Sequence, residues 1–179
     1  MNKMKYIKEY KEFKSDIFYH GSNIKLDEIK LMPNTSGESK FLGDGIYISN
    51  TKSISDSYGE YTYSVSISEP LNSLQYLEYI PLGKFKEMSI KFQESDDEDL
   101  NYIGDEIEDA IEDDDLWWGK SLISKLDRYE LNSKEILVNL GYNAIEAPIN
   151  KMNQFRGMPD SDRNICIIKD DILSVHLVE

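Results

Sequence analysis

The sequence predicts an α+β domain. Short segments with strand periodicity alternate with segments of helical periodicity, and no regular βαβ repeat is present. The chain has 179 residues, 40% of them hydrophobic, which suits one hydrophobic core. We therefore expect residues 1–179 to form a single domain in which a β-sheet core carries peripheral helices.

The N-terminal part of the chain predicts a helix, two strands and a loop between them. Apolar side chains spaced three apart in residues 3–14 indicate a helix. Residues 17–19 read as a short strand that ends at His20. Residues 33–40, with the sequence PNTSGESK, have the composition of a loop. Residues 45–49 predict the second strand.

The next segments alternate between helix and strand. Residues 51–58 predict a short helix that ends at Gly59. Residues 61–67 alternate apolar with polar side chains, which indicates a strand with one buried face. Residues 133–140 predict a helix that Ser133 caps. Three further strands are predicted over residues 143–147, 164–168 and 174–178.

The middle of the chain is intensely acidic. Residues 94–115 contain thirteen Asp or Glu residues and no Lys or Arg. Apolar residues at helical spacing within this run predict an amphipathic helix with a negative outer face: Leu100, Ile103, Ile107 and Ile111. We expect an acidic helical insertion over approximately residues 84–130. Its outer face is either solvated or a surface for a basic partner.

Composition excludes several classes of protein. A formal net charge of −14 argues against stable nucleic-acid binding, which needs clustered Lys and Arg. The single cysteine, Cys166, cannot form an internal disulfide and reads as a small buried side chain. No apolar stretch has the length of a membrane span or a secretion signal. A cytoplasmic protein without membrane association is expected.

Common cofactor and metal motifs are missing. Gly43-Asp44-Gly45 is not followed by the third glycine of a dinucleotide fingerprint, and no P-loop lysine is present. His20 and His176 are the only histidines, and no metal-ligand spacing occurs. We therefore predict no metal site.

Two short sequence blocks contain residues suited to ligand binding and catalysis. Tyr19-His20-Gly21-Ser22 lies at the end of the first predicted strand. The second block, GDGIYISNTKSISDSY, begins at Gly43 and contains Gly45 and, at its functional positions, Tyr47, Ser55 and Tyr58. An imidazole, glycines with accessible backbone and two aromatic rings are suited to a pocket for the nicotinamide ribose of NAD.

These blocks resemble the NAD-binding core of the ADP-ribosyltransferase superfamily, in the His-Tyr-Glu branch that includes diphtheria toxin and the poly(ADP-ribose) polymerases. Compact phage and bacterial members, one anti-CRISPR type among them, look similar in size and in the order of the blocks. The resemblance covers residues 17–71 and the last strands. It implies a split β-sheet core and NAD as co-substrate.

The resemblance also implies residue roles. His20 would hydrogen-bond the ribose hydroxyls, and Gly21 would pair its backbone with the carboxamide. Tyr58 would stack on the nicotinamide, Tyr47 would form the opposite wall, and Ser55 would hydrogen-bond the carboxamide. Ser22 and Gly45 belong to the same two blocks, and we expect them to contact NAD as well.

The catalytic acid is the point of departure from the family pattern. The family carries an acid at the start of the final-strand motif, where this chain has Asn164 in NICII. Asn164 can hold a ribose hydroxyl but has no charge to stabilise the ribose cation. Asp162 and Glu146 are the alternative acids, with Asp115 beside the tryptophans as a third.

The expected function is transfer of a single ADP-ribose from NAD to a protein acceptor, which could be basic or part of a nucleic-acid-binding complex. The resemblance implies a toxin or a phage-encoded inhibitor of host machinery, acting in the host cytoplasm. Residues 148–163, with Phe155, Arg156 and Met158, would select the acceptor. The alternatives are NAD binding without transfer, an acidic mimic of nucleic acid, and hydrolysis of NAD.

Overall fold

The computed structural model describes residues 17–27, 42, 45–151, 157, 159, 161–169 and 172–178. Within them the chain is mixed α+β, with a curled, half-barrel sheet and several helices, which confirms the predicted fold class. The helix predicted for residues 3–14 and the loop predicted for residues 33–40 lie outside the described residues.

One sheet contains the strands of the described residues. Its order is β4-β5-β6-β2-β1-β3-β7, and neighbouring strands are antiparallel except for the parallel pair β4 and β5. Alternating side chains explain β3, as predicted. The strands are β1 (Phe18–Ser22), β2 (Ile46–Ser49), β3 (Tyr61–Ile67), β4 (Ser73–Gln75), β5 (Ala144–Pro148), β6 (Arg163–Ile167) and β7 (Leu173–Leu177).

Five α-helices occur in the described residues: α1 (Lys52–Asp56), α2 (Leu82–Gln93), α3 (Glu98–Glu112), α4 (Gly119–Arg128) and α5 (Ser133–Asn139). None of them combines the length and the apolarity needed to cross a bilayer. The predicted helix near residues 133–140 is present, but Asn132 rather than Ser133 caps it, because the Asn132 side chain accepts from the Glu135 amide at 3.2 Å.

The acidic run does not form one helix from its first residue. Asp97 ends the link after α2, and its carboxylate accepts from the amides of Asp99 and Leu100 at 3.0 and 3.1 Å. An acidic cap and an acidic first turn suit a helix N-terminus, so α3 begins at Glu98. The helix predicted over residues 94–115 is therefore shorter at both ends, since α3 spans Glu98–Glu112, and it is preceded by α2.

Helices α2 and α3 cross closely. A Cβ added at Gly104 would lie 2.8 Å from the Gln93 side chain and 2.9 Å from the Gln93 backbone nitrogen. The Ser89 hydroxyl donates to the Gly104 carbonyl at 3.0 Å. Ile103 and Ile107 are fully buried, as the apolar spacing predicted. The helices share this core with sheet residues that include Leu74, Ile145 and Cys166.

A charged pair sits at the edge of this core. Lys125 of α4 contacts Glu106 of α3 at 2.7 Å, and its ammonium lies 5.3 Å from the centre of the Trp117 ring. Trp117 packs on the core, whereas Trp118 meets the exposed ring of Tyr79 at 5.3 Å. Lys125 therefore fastens the acidic helix to its neighbour.

Replacing Ile107 with Ala should lower the free energy of unfolding by about 2–5 kcal/mol, because Ile107 is fully buried and the change leaves a cavity. Urea unfolding followed by circular dichroism measures the effect. Asp109→Asn, on the exposed side of the same helix, is the control and should change the value by about 0.5 kcal/mol or less. Equal effects of the two changes would contradict the burial of α3 against the core.

Candidate functional site

The sheet opens between β1 and β2. β1 pairs with β3 at every residue from Phe18 to Ser22, but its pairing with β2 is a single register pair, Tyr19 with Ser49. β2 in turn is fully paired with β6. The two strands therefore part directly after Tyr19, where the YHGS block continues with His20 and Gly21.

His20 spans this opening. Its Nδ1 lies 2.8 Å from the backbone oxygen of Tyr47. A carbonyl oxygen only accepts, so Nδ1 carries the proton, and a neutral imidazole in this tautomer has its lone pair on Nε2. The ring also lies 6.5 Å from that of Tyr63, the cross-strand partner of His20.

Burial keeps His20 neutral. Desolvation lowers the pKa of His20 below its ordinary value of 6.5, and the hydrogen bond to the Tyr47 carbonyl opposes part of that shift. At neutral pH the ring therefore donates from Nδ1 and can accept at Nε2. A neutral ring of this kind can bind a hydroxyl without adding a charge to the site.

Register places Gly21 and Tyr47 on one face of the sheet. Side chains alternate along a strand, so the pair Tyr19 and Ser49 shares its face with Gly21 and Tyr47. A Cβ built on Gly21 would lie 2.0 Å from the Ser55 carbonyl oxygen and 3.0 Å from the Tyr58 Cβ. α1 therefore packs directly over Gly21, and it brings Ser55 and Tyr58 to the same face.

Polar contacts hold α1 in this position. The Thr62 hydroxyl of β3 donates to the Asp56 carboxylate at 2.6 Å, and Lys52 contacts the same carboxylate at 2.8 Å. The Lys52 ammonium and the Thr62 hydroxyl hold the pKa of Asp56 below its usual value. Ser55 is buried, whereas Tyr58 keeps 42% of its surface exposed.

Tyr47 is held at both ends. Its backbone oxygen accepts from His20, and its phenol oxygen accepts from the Leu42 amide at 2.9 Å. The ring is half-buried and packs on the core that the helices share with the sheet. The ring therefore forms a fixed wall on the β2 side of the opening.

Ser22 and Gly45 have local structural roles. The Ser22 hydroxyl accepts from the Ile24 amide at 3.2 Å in the turn after β1. A Cβ on Gly45 would lie 2.4 Å from the Ile167 oxygen and 2.5 Å from the sulfur of Cys166, so Gly45 packs against β6. Cys166 is fully buried, as expected for a small side chain in an apolar strand.

The three candidates for the acid position lie in different places. Asn164 is buried and pairs with Ser49, so it shares the face of Tyr47. Glu146 pairs with Ile165 and points to the opposite face. Asp162 precedes β6, and its backbone oxygen accepts from the Ile149 amide at 2.8 Å. Of these three, register brings Asn164 alone to the face of Tyr47. Alternation along β1 places His20 on the other face, which is also the face of Glu146.

Sequence reasoning missed the residues that support the motif. Tyr63 backs the His20 ring, and Thr62 ties down α1. The alternation over residues 61–67 predicted their strand but not its pairing with β1. Residues 152–156 and 158 of the proposed acceptor loop, which include Phe155, Arg156 and Met158, lie outside the described residues.

Comparison with protein-family models, with curated proteins and with solved structures found no match. Within the part of the chain that the structure describes, no three His, Cys, Asp or Glu side chains come together as a metal site would require. The candidate site is therefore defined by the opening between β1 and β2 and the side chains around it.

Replacing Gly21 with Ala should destabilise the protein by about 1–3 kcal/mol, because the new methyl group would overlap the Ser55 carbonyl and displace α1. Gly83→Ala in α2 is the matched control, since a Cβ there meets nothing within 4 Å. Alanine at that helical position should stabilise by up to about 1 kcal/mol. Urea unfolding of both variants checks the opposite signs; a neutral Gly21→Ala would contradict the packing of α1 on β1.

His20 should make stability depend on pH. An unfolded chain protonates this histidine near pH 6.5, and the folded protein does so only at lower pH. Its stabilising effect is therefore complete above that value and is lost as pH falls towards the folded pKa. The difference in unfolding free energy between wild type and His20→Gln should shrink over that range.

NMR titration of the His20 ring measures this pKa directly. A His176→Asn background leaves a single histidine and makes the assignment unambiguous. We expect a value below 6.5. A value at or above it would mean that the ring is not desolvated at the opening.

Proposed function

We propose that this protein is an NAD-dependent mono-ADP-ribosyltransferase that modifies a protein acceptor. The observation that supports this most strongly is the opening between β1 and β2. Gly21, Tyr47, Ser55 and Tyr58 share one face there, and His20 spans the gap. Five residues suited to a nicotinamide riboside, from three separate segments of the chain, thus lie around one break in the sheet.

The contacts of these residues suit the roles that the resemblance implies. Neutral His20 can accept a hydrogen bond from a ribose hydroxyl at Nε2 while Nδ1 remains hydrogen-bonded to the Tyr47 backbone oxygen. Tyr58 is partly exposed and can stack on a pyridinium ring, which gains cation–π energy. The missing Cβ at Gly21 allows α1 to bring Ser55 and Tyr58 close to the β1 backbone.

Bound NAD supplies a glycosidic bond whose cleavage releases neutral nicotinamide. Positive charge then develops on the ribose, and a carboxylate is the usual group that stabilises it. Here Asn164 offers only an amide dipole on that face. We infer slow transfer of a single unit rather than growth of a polymer.

We also propose a fold family and a biological role for this chain. The parted β1 and β2 would be the split sheet of an ADP-ribosyltransferase core, and α2 to α4 the acidic insertion. The outer face of α3 carries exposed carboxylates that include Asp105, Glu108 and Asp109, so a basic acceptor or a nucleic-acid-binding complex is favoured. A toxin or phage-encoded inhibitor in the host cytoplasm fits these features.

A second candidate is a protein that binds NAD without transferring ADP-ribose. The buried amide of Asn164 favours it, because the position that shares the face of Tyr47 brings no charge. Hydrolysis of NAD, with water as acceptor, would use the same site. Mimicry of nucleic acid by α3 would not use the site at all.

Wild-type protein incubated with NAD and a bacterial lysate should release nicotinamide and add one ADP-ribosyl unit to a protein, seen by intact-mass spectrometry. Tyr58→Ala should lower kcat/KM by about 10- to 30-fold, because stacking on the nicotinamide is lost. Tyr79→Ala is the control: Tyr79 is also exposed, but it pairs with Trp118 away from the opening. It should keep activity within about twofold.

Calorimetry with NAD separates the alternatives. Binding that Tyr58→Ala weakens, without release of nicotinamide, would support the non-catalytic candidate. Release of nicotinamide without a labelled protein would indicate hydrolysis. Absence of NAD binding to wild type would overturn every NAD-based proposal, and loss of partner binding on neutralising Asp105, Glu106 and Asp109 would then support mimicry.

A further inference from the structure

A concavity lies on the face of the sheet opposite to that of Tyr47. It is an open cleft with a volume of about 400 Å³, which is within the range of small-molecule sites. Phe18 and Ile165 line it, and alternation along β1 and β6 turns both away from the face of Tyr47. We call this the Arg163 cleft; its lining is completed by Ile17, Asn50, Leu71, Glu146 and Arg163.

Two of the three polar residues in the Arg163 cleft have their hydrogen-bonding groups engaged. Asn50 donates to the Ser161 oxygen at 2.9 Å and accepts from the Arg163 amide at 2.8 Å. One Glu146 oxygen contacts Arg163 Nε at 3.3 Å, and the other accepts from the Gln75 side chain at 3.2 Å. These groups have little capacity left for a ligand.

Arg163 is different. Its Nη1 is buried and has no hydrogen-bond partner within the described residues, although a guanidinium has five N–H donors. A buried unpaired donor costs free energy that an acceptor would recover. The Arg163 side chain is 31% exposed and lines the cleft.

We propose that the Arg163 cleft binds a small organic molecule that carries one carboxylate on an apolar body. The carboxylate would meet the guanidinium, whose fork geometry matches two carboxylate oxygens. The apolar body would lie against Phe18, Ile165 and Leu71. The lining of the cleft contains none of the five residues of the proposed NAD site, although alternation along β1 places Phe18 and His20 on the same face.

Glu146 sets the affinity of this site. Its carboxylate competes with the ligand for Arg163, and the net charge of −14 opposes any anion. Binding in the millimolar range follows for a simple carboxylate. Removing the Glu146 charge should tighten binding, whereas removing the Arg163 charge should weaken it.

The test is an NMR titration of the intact chain with benzoate, a carboxylate on a flat apolar ring, up to about 20 mM. Benzyl alcohol, similar in shape but uncharged, is the ligand control. We expect saturable shifts for the amides of Phe18, Asn50 and Ile165 with benzoate. Benzyl alcohol should give shifts at least about fivefold smaller at equal concentration.

Three variants identify the group that binds. Arg163→Gln should weaken benzoate binding by at least about tenfold, and Glu146→Gln should strengthen it by about threefold or more. Lys169→Gln is matched to Arg163→Gln in charge, but Lys169 pairs with Glu69 and does not line the cleft, so it should change binding by less than about twofold. Amide spectra of each variant establish that it folds.

No benzoate-dependent shift at the cleft of the folded wild-type protein would overturn the proposal. Equal binding by wild type and folded Arg163→Gln would overturn it as well, and so would equal binding of benzoate and benzyl alcohol. If Arg163→Gln does not fold, the opposite response of Glu146→Gln decides the case: unchanged or weaker binding in that variant contradicts the proposal. None of these results depends on NAD.

Discussion

The hydrogen bond from His20 Nδ1 to the Tyr47 oxygen is the constraint on which the candidate site depends. Antiparallel neighbours normally continue their ladder, but β1 and β2 stop after Tyr19 and Ser49, and a side chain spans the next position. β3 and β6 hold the outer edges of the two strands in full register. The opening is therefore a break between two well-supported strands, and this support can keep a binding site in a fixed shape.

Sequence periodicity predicted those strands and helices whose side-chain pattern lies within the element itself. The alternation in residues 61–67 is confirmed as β3, and the apolar spacing of Ile103 and Ile107 is confirmed by their burial in α3. Helix α2 was not identified within the acidic insertion, although composition changes where the Lys-containing α2 ends and the acidic run begins at Glu94; the start of α3 itself depends on the Asp97 cap. The short strand β4 was missed because it is defined by its pairing with β5.

The composition of the candidate site could be predicted, but the choice among its acids could not. Which face a residue occupies depends on pairing between distant strands, such as Ser49 with Asn164. Asn164 and Glu146 both lie in segments that sequence reading identified as strands. Only the register of β5, β6 and β2 shows that their side chains point to opposite faces. No local pattern contains that information.

The register of β6 also explains why one of its faces carries Arg163 and the other carries Asn164 and Cys166. A slip of one residue would turn Arg163 towards the core that the helices share with the sheet, and it would move Cys166 to the face that Ile165 and Ile167 now occupy. Burying an unpaired guanidinium in that core would cost several kcal/mol, so the slipped arrangement is disfavoured. The same energetic difference fixes Asn164 beside Ser49 and keeps Arg163 next to Glu146. One strand thus separates an uncharged face at the opening from a charged face at the cleft.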